Sequence, residues 1–417
     1  MSRIPITTRR DLLTCGLGLV GVSAALPDFL IRSALADPAP ASQDPSQVAV
    51  IIEMSGGNDT LSTVIPHSSK TYAEGRKTTR IPENEIIKIN DEFGFHPKLQ
   101  GFKALLDEGR MAILPGVGHP QPNYSHFSAM DIWHVADERG RCPEVPYGWI
   151  GRAVDSGFGE ASQPILAVAV GPDKAPPAFK GPKHAGISFR RPESFRYTGD
   201  KDDAARAALY KRLHEHPSAP AGENLDFLSR TALAANVSSE EIRRLASSYE
   251  PKVEYPKTGL ARNLRAIAGL VKGGLGTRVY YTMQGGYDTH SNQRQQHDRL
   301  LSELNDAVAA FQHDLAQQGQ DGRVLTLTFS EFSRNVKENG SQGTDHGHAG
   351  AMFFFGTKLK PGFRGAYPSL EDVHQVRNGA LKHNVDFRSV YTTVLEKWIG
   401  VPAAPALGPY PIVDLFA

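Results

Sequence analysis

Runs of β-branched and apolar residues recur along the chain and alternate with stretches of helical spacing. The first run, Val48 to Met54 (VAVIIEM), is nearly unbroken, as a strand covered on both faces requires. Shorter runs of the same texture follow at Met111 to Pro115, Ile165 to Val170, Thr277 to Met283, Arg323 to Phe329 and Ala351 to Gly356. Between them, apolar residues share one helical face at Phe95 to Glu108 (Leu99, Phe102, Leu105, Leu106) and at His297 to Leu315 (Leu300, Leu304, Val308, Phe311). Leu260 to Leu275, Ser125 to Trp133 and Asp386 to Ile399 also read as helices. Strands alternating with helices over this length predict an α/β fold built on a doubly wound, largely parallel sheet.

The pattern breaks in three places. Gly116 to Tyr124 (GVGHPQPNY) is too rich in Gly and Pro to be regular, and a polar loop is expected to lead from Ser330 to Asp345. From about 172 to 258 Pro and Lys dominate first, then two helical patterns, Asp202 to His214 and Asn224 to Tyr249. This segment is expected to be a helical insertion or cap over the sheet edge.

The amino terminus reads as an address. Thr7-Thr8-Arg9-Arg10-Asp11-Leu12-Leu13, the apolar run Cys15 to Leu26 and the small residues Ala34-Leu35-Ala36 form a twin-arginine export signal over residues 1–36. The run is short for a bilayer span, so no stable membrane span is expected after processing. Residues 37–47 (DPAPASQDPSQ) then form a linker, and 48–417 the folded domain. The expected location is periplasmic or secreted, with the twin-arginine translocase a partner during export. Cys142 is the one cysteine beyond the signal, which rules out an intramolecular disulfide in the processed chain. A net charge of +1 over 417 residues offers no basic stripe, so nucleic acid is not an expected partner.

Chemistry concentrates where strands end. Gly343-Thr344-Asp345-His346-Gly347-His348 sets a carboxylate and two imidazoles within four positions, the ligand mix of zinc, manganese or iron. The alternative is a polar loop whose histidines bond only to backbone. Two other turns echo each other: Gly56-Gly57-Asn58-Asp59 follows the first strand, and Gly285-Gly286-Tyr287-Asp288 with His290 follows Thr277 to Met283. Each places a carboxylate at the same strand end, the edge where open α/β sheets bind ligands. Ser125, at a helix start, is either a cap or a nucleophile. Asp59, Ser125, Asp288, His290, Asp345, His346 and His348 thus make a candidate set for two divalent ions (zinc, manganese or calcium) activating a serine against an ester. His297 is an alternative to His290. No Gly-x-Ser-x-Gly elbow surrounds Ser125, which argues against an ordinary serine hydrolase.

The motifs SGGND, FGFHPKL, NYSHFSAMDIW, GGYDTH, SEFSRN and GTDHGHA behind a twin-arginine leader resemble the exported, sulfatase-like family called domain of unknown function 1501, within the alkaline phosphatase-like superfamily. The resemblance runs from about Val48 to Trp398. It implies an alkaline phosphatase/sulfatase-like fold and a metal-dependent hydrolase or transferase of phosphate or sulfate esters, with Ser125 as nucleophile. It further implies that Asp59, Asp345 and His346 hold the ion nearest Ser125, and Asp288, His290 and His348 the other. Asn58, His126 and Arg334 become candidates for substrate contact, with Glu331 as support. The spacing Asp288-Thr289-His290 is shorter than the superfamily's Asp-x-x-x-His, and the formylglycine pattern of sulfatases is missing around Ser125. The competing expectation is a non-catalytic binding protein of the envelope that keeps the fold.

Overall fold

A computed structural model describes residues 47–137, 147–158, 165–181, 186–195, 238–371, 375–376 and 379–417. The segment expected to be the export signal, nearly all of the expected linker, the helical pattern of Asp202 to His214 and Cys142 lie outside these residues.

The centre is a sheet of nine described strands. In chain order these are β1 Val48–Ser55, β2 Met111–Gly118, β3 Ala167–Val170, β4 Ile187–Phe189, β5 Val279–Gly285, β6 Val324–Phe329, β7 Gly350–Phe355, β8 Gly362–Phe363 and β9 Val385–Asp386. Across the sheet they run β8-β2-β7-β6-β1-β5-β3-β4, with β9 also on β2. Among them β7 alone is antiparallel to its neighbours, β2 and β6. The segment expected to be a cap therefore supplies an edge strand, β4, paired in parallel with β3.

β1 shows why its sequence takes this place. Val48, Val50, Ile52 and Met54 face one buried cluster, while Ala49 and Ile51 face the other, the period of two that a strand imposes. The first cluster is closed by α3 Gln100–Asp107, α6 Gly259–Lys272 and α7 Gln293–Gln317; the second by α4 His126–Val135, α5 Trp149–Gly157 and α8 Phe387–Thr393. Two short helices, α1 Thr60–Thr63 and α2 Lys70–Gly75, complete the numbering. Each fully buried Val or Ile in such a layer contributes about 1.5–3 kcal/mol.

Two segments differ from the pattern reading. β2 continues through Pro115 and Gly116 to Gly118, because its register against β7 shifts between Gly350↔Val117 and Met352↔Leu114. That bulge takes Pro115 out of the ladder, where its missing N–H costs nothing. The stretch expected to be a polar loop forms an antiparallel hairpin, Arg334–Glu338 with Thr344–His346. Its start is anchored by the fully buried Arg334.

Candidate functional site

The parallel strands β1, β2, β5 and β6 all end on one edge, and the antiparallel β7 begins there. The loops after Ser55, Gly118, Gly285 and Phe329 and the hairpin before Gly350 therefore meet. The glycines of the first turn let them meet closely: Gly56 has φ +117°, and a Cβ there would lie 2.5 Å from Asp288 N.

Asp288 is the hub. Its Oδ1 lies 3.3 Å from His126 Nε2, 3.1 Å from His290 Nε2 and 3.3 Å from His346 Nε2. His290 and His346 bring their Nε2 atoms to 2.8 Å of each other. The other nitrogen of each ring donates to a fixed acceptor. His126 Nδ1 donates to Glu331 Oε1 at 2.7 Å, His346 Nδ1 to the Tyr124 carbonyl at 2.6 Å, and His290 Nδ1 to Asp345 Oδ1 at 3.2 Å. This arrangement brings the Nε2 atoms of His126 and His346 together with one carboxylate oxygen, His290 Nε2 lying beside Asp288 and His346, and the backing of each ring is the second-layer pattern of metal-binding histidines. An ion at 2.0–2.1 Å from four tetrahedral ligands sets them about 3.3 Å apart, which the separations from Asp288 match. Taken together, His126, Asp288 and His346 form a group able to hold a metal ion.

Electrostatics favour the ligating form at Asp288 and His346 and the protonated form at His126. Burial pushes the Asp288 carboxyl up, but the hydrogen bond and charge of Arg334, with His346 and His126, together outweigh it and hold the group at about 2. Burial, with the Arg334 charge nearby, lowers His346. The bond from Glu331 raises His126.

The candidate residues divide sharply. His290, His346 and Asp288 converge, and so does His126, which sequence had put forward as a substrate contact or a support for the ligands, not as a ligand itself. Asp345 sits behind His290, held by Asn339 Nδ2 at 3.0 Å. Asp59 does not join them: both its oxygens are engaged, by Arg76 at 2.5 and 3.0 Å, Ser62 Oγ at 2.6 Å and Gln293 Nε2 at 2.5 Å. His348 is buried and turned to the His119 backbone, with Nε2 2.7 Å from the carbonyl. His297 is also buried, against Asn58 Oδ1 at 2.9 Å. Asn58 closes that contact from inside, donating to Thr63 Oγ1 at 3.1 Å, so it is not open to substrate. Arg334 likewise faces inward: its donors go to the carbonyls of Gly57, Thr344, Gly56 and Tyr287 and to Asp288.

Ser125 is exposed and lies between Tyr124, whose carbonyl accepts from His346, and His126 of the group. It is the N-cap residue of α4, yet its side chain makes no capping bond, and its N–H goes to Asn123 Oδ1 at 2.9 Å. Beside the histidines opens a cleft of about 370 Å³, lined by Tyr124, His290, Asn335, Lys337, Glu338, Asp345 and His346.

A model of the family described as protein of unknown function (DUF1501) matches residues 46–402. No curated protein matches the sequence. Solved structures similar to this chain include a Ps i-CgsB in complex with a neocarrahexaose, at 10% identity and TM-score 0.37, covering 87% of this chain and 73% of that one. A lipoteichoic acid synthase, LtaP, from Listeria monocytogenes is similar at 7% identity and TM-score 0.33, covering 93% and 79%. An alkaline phosphatase from the Antarctic bacterium TAB5 is similar at 11% identity and TM-score 0.32, covering 77% and 95%. No helix among the described residues is long and apolar enough to cross a membrane.

Proposed function

The chain belongs to the DUF1501 family, and from its site we propose that it is an exported, metal-dependent hydrolase or transferase of phosphate or sulfate esters. The observation that carries the reading is the convergence of His126, His290 and His346 Nε2 on Asp288 Oδ1 beside an exposed, uncapping Ser125. Export rests on the twin-arginine signal of residues 1–36.

The donor set supports one ion, because Asp59 and His348 are engaged elsewhere. Three imidazoles with one carboxylate suit zinc, manganese or iron better than calcium, whose sites are built from oxygen. A bound ion would supply Lewis acidity to an ester oxygen. In this reading Ser125 Oγ attacks phosphorus or sulfur as the bond to the leaving oxygen breaks, and the hydroxyl proton passes to that oxygen. Lys337, exposed in the lining of the cleft, offers a positive charge to an anionic ester. Arg334 fixes Asp288, not the substrate.

A second reading, a non-catalytic envelope protein with a closed metal site, is favoured by one feature. His290 lies 3.1 Å from Asp288, beside the three-residue group, and a fourth protein donor would close the coordination as in a structural zinc site. The two readings separate in a single experiment: turnover of aryl phosphates, phosphodiesters and aryl sulfates by metal-loaded protein, with Ser125→Ala as the control. Turnover lost in Ser125→Ala supports the enzyme; a metal-replete protein inert to every ester supports the second reading.

A further inference from the structure

The two loops carrying the proposed ligands are tied together from beneath by one side chain. Gln293, the first residue of α7, is 1% exposed. Its Oε1 accepts from Thr344 Oγ1 at 2.5 Å and from Thr289 Oγ1 at 3.1 Å, while its Nε2 donates to Asp59 Oδ2 at 2.5 Å. Thr289 separates Asp288 from His290, and Thr344 immediately precedes Asp345 and His346. Thr344 N also donates to Thr289 O at 3.2 Å, so side chain and backbone join the same two residues.

Only a carboxamide of this length accepts two hydroxyl protons at one end and donates to a carboxylate at the other. A glutamate would face Asp59 with a second carboxylate in a buried place, and a methionine would fill the volume without the bonds. Asp59 is itself fixed, since Arg76 neutralises it and donates onward to the Val336 carbonyl at 2.7 Å and the Asn335 carbonyl at 2.8 Å.

We propose that Gln293 is a positioning residue for the metal group, setting the distance between the Asp288–His290 turn and the Asp345–His346 strand, and that the buried Asp59–Arg76 pair holds it in that orientation. Asp59 thereby acts on the ion through Gln293 and Thr289. The inference rests on the reading that the histidine group holds an ion.

The test uses the full chain titrated with Co2+, following affinity by chelator competition and coordination by visible absorption. Gln293→Met is expected to bind about ten- to hundred-fold more weakly, with a changed spectrum, while circular dichroism and cooperative unfolding persist. If that variant fails to fold, Thr289→Val and Thr289→Ser carry the test. Valine removes one donor at nearly constant shape and weakens binding; serine restores the hydroxyl and with it the affinity and spectrum. Unchanged Co2+ affinity and spectrum in Thr289→Val overturn the role of Gln293 while leaving the ion site standing. Failure of the unsubstituted protein to bind Co2+ overturns the ion site, and the role of Gln293 with it.

Discussion

Asp59 Oδ2 lies 2.5 Å from Arg76 Nη1, and both side chains are wholly withdrawn from solvent. Burial pushes the Asp59 carboxyl up, but the charge and hydrogen bond of Arg76, with His297 and Ser62, together override it and hold the group well below the carboxylate range. Removing the guanidinium strands a buried charge, so Arg76→Met is expected to cost about 3–5 kcal/mol in urea unfolding. Asp59→Asn, by contrast, should keep full ion stoichiometry at saturating metal, measured by elemental analysis. Loss of the ion there would restore Asp59 as a ligand.

Glu331 accepts from His126 Nδ1 and from Gly56 N at 2.9 Å, holding the ring so that Nε2 faces Asp288. Glu331→Gln is expected to weaken metal binding about ten- to hundred-fold, and His126→Ala to weaken it further. Equal affinities for Glu331→Gln and wild type, by competition titration, would remove the orienting role.

Ser125→Ala is expected to abolish ester turnover at unchanged metal content, because the hydroxyl has no structural bond to lose. Retained turnover would mean that solvent, not Ser125, attacks the ester.

His297 is 1% exposed, and burial holds its imidazole down at about 3, whereas an unfolded histidine titrates near ~6.5. Between those values the unfolded chain binds the extra proton. The contribution of neutral His297 is therefore complete above pH ~6.5 and declines as pH falls toward 3. His348, held by burial at about 4, acts in the same direction. Urea midpoints from pH 7 to 4 should fall less steeply in His297→Asn than in wild type; parallel slopes would exclude His297 as a source.

Much of this architecture was legible in the sequence because strands buried on both faces write continuous apolar runs, as β1, β6 and β7 do. The edge strand β4 was not, since three residues, Ile187–Phe189, in a Pro- and Lys-rich setting carry no period. In the site, the Asp288 and His346 motifs marked two members of the group able to hold an ion. The Gly-Gly-x-Asp echo was real as a backbone relation, because its two turns follow the paired strands β1 and β5. It could not say that one aspartate faces the histidines and the other Arg76, since Arg76 has no motif and meets Asp59 only in three dimensions. Gln293 was invisible for the same reason.

β7 is the one described strand joining β2, with β8 and β9 beyond it, to β6 and the rest of the sheet. The chain must therefore reach Phe355 before the two halves of the sheet can join, and the hairpin strand that carries His346 runs on into β7. A cation gripped by His346 and Asp288 would tether the entry of β7 to the turn after β5, so a protein stripped of its ion is expected to loosen first where β7 enters the sheet.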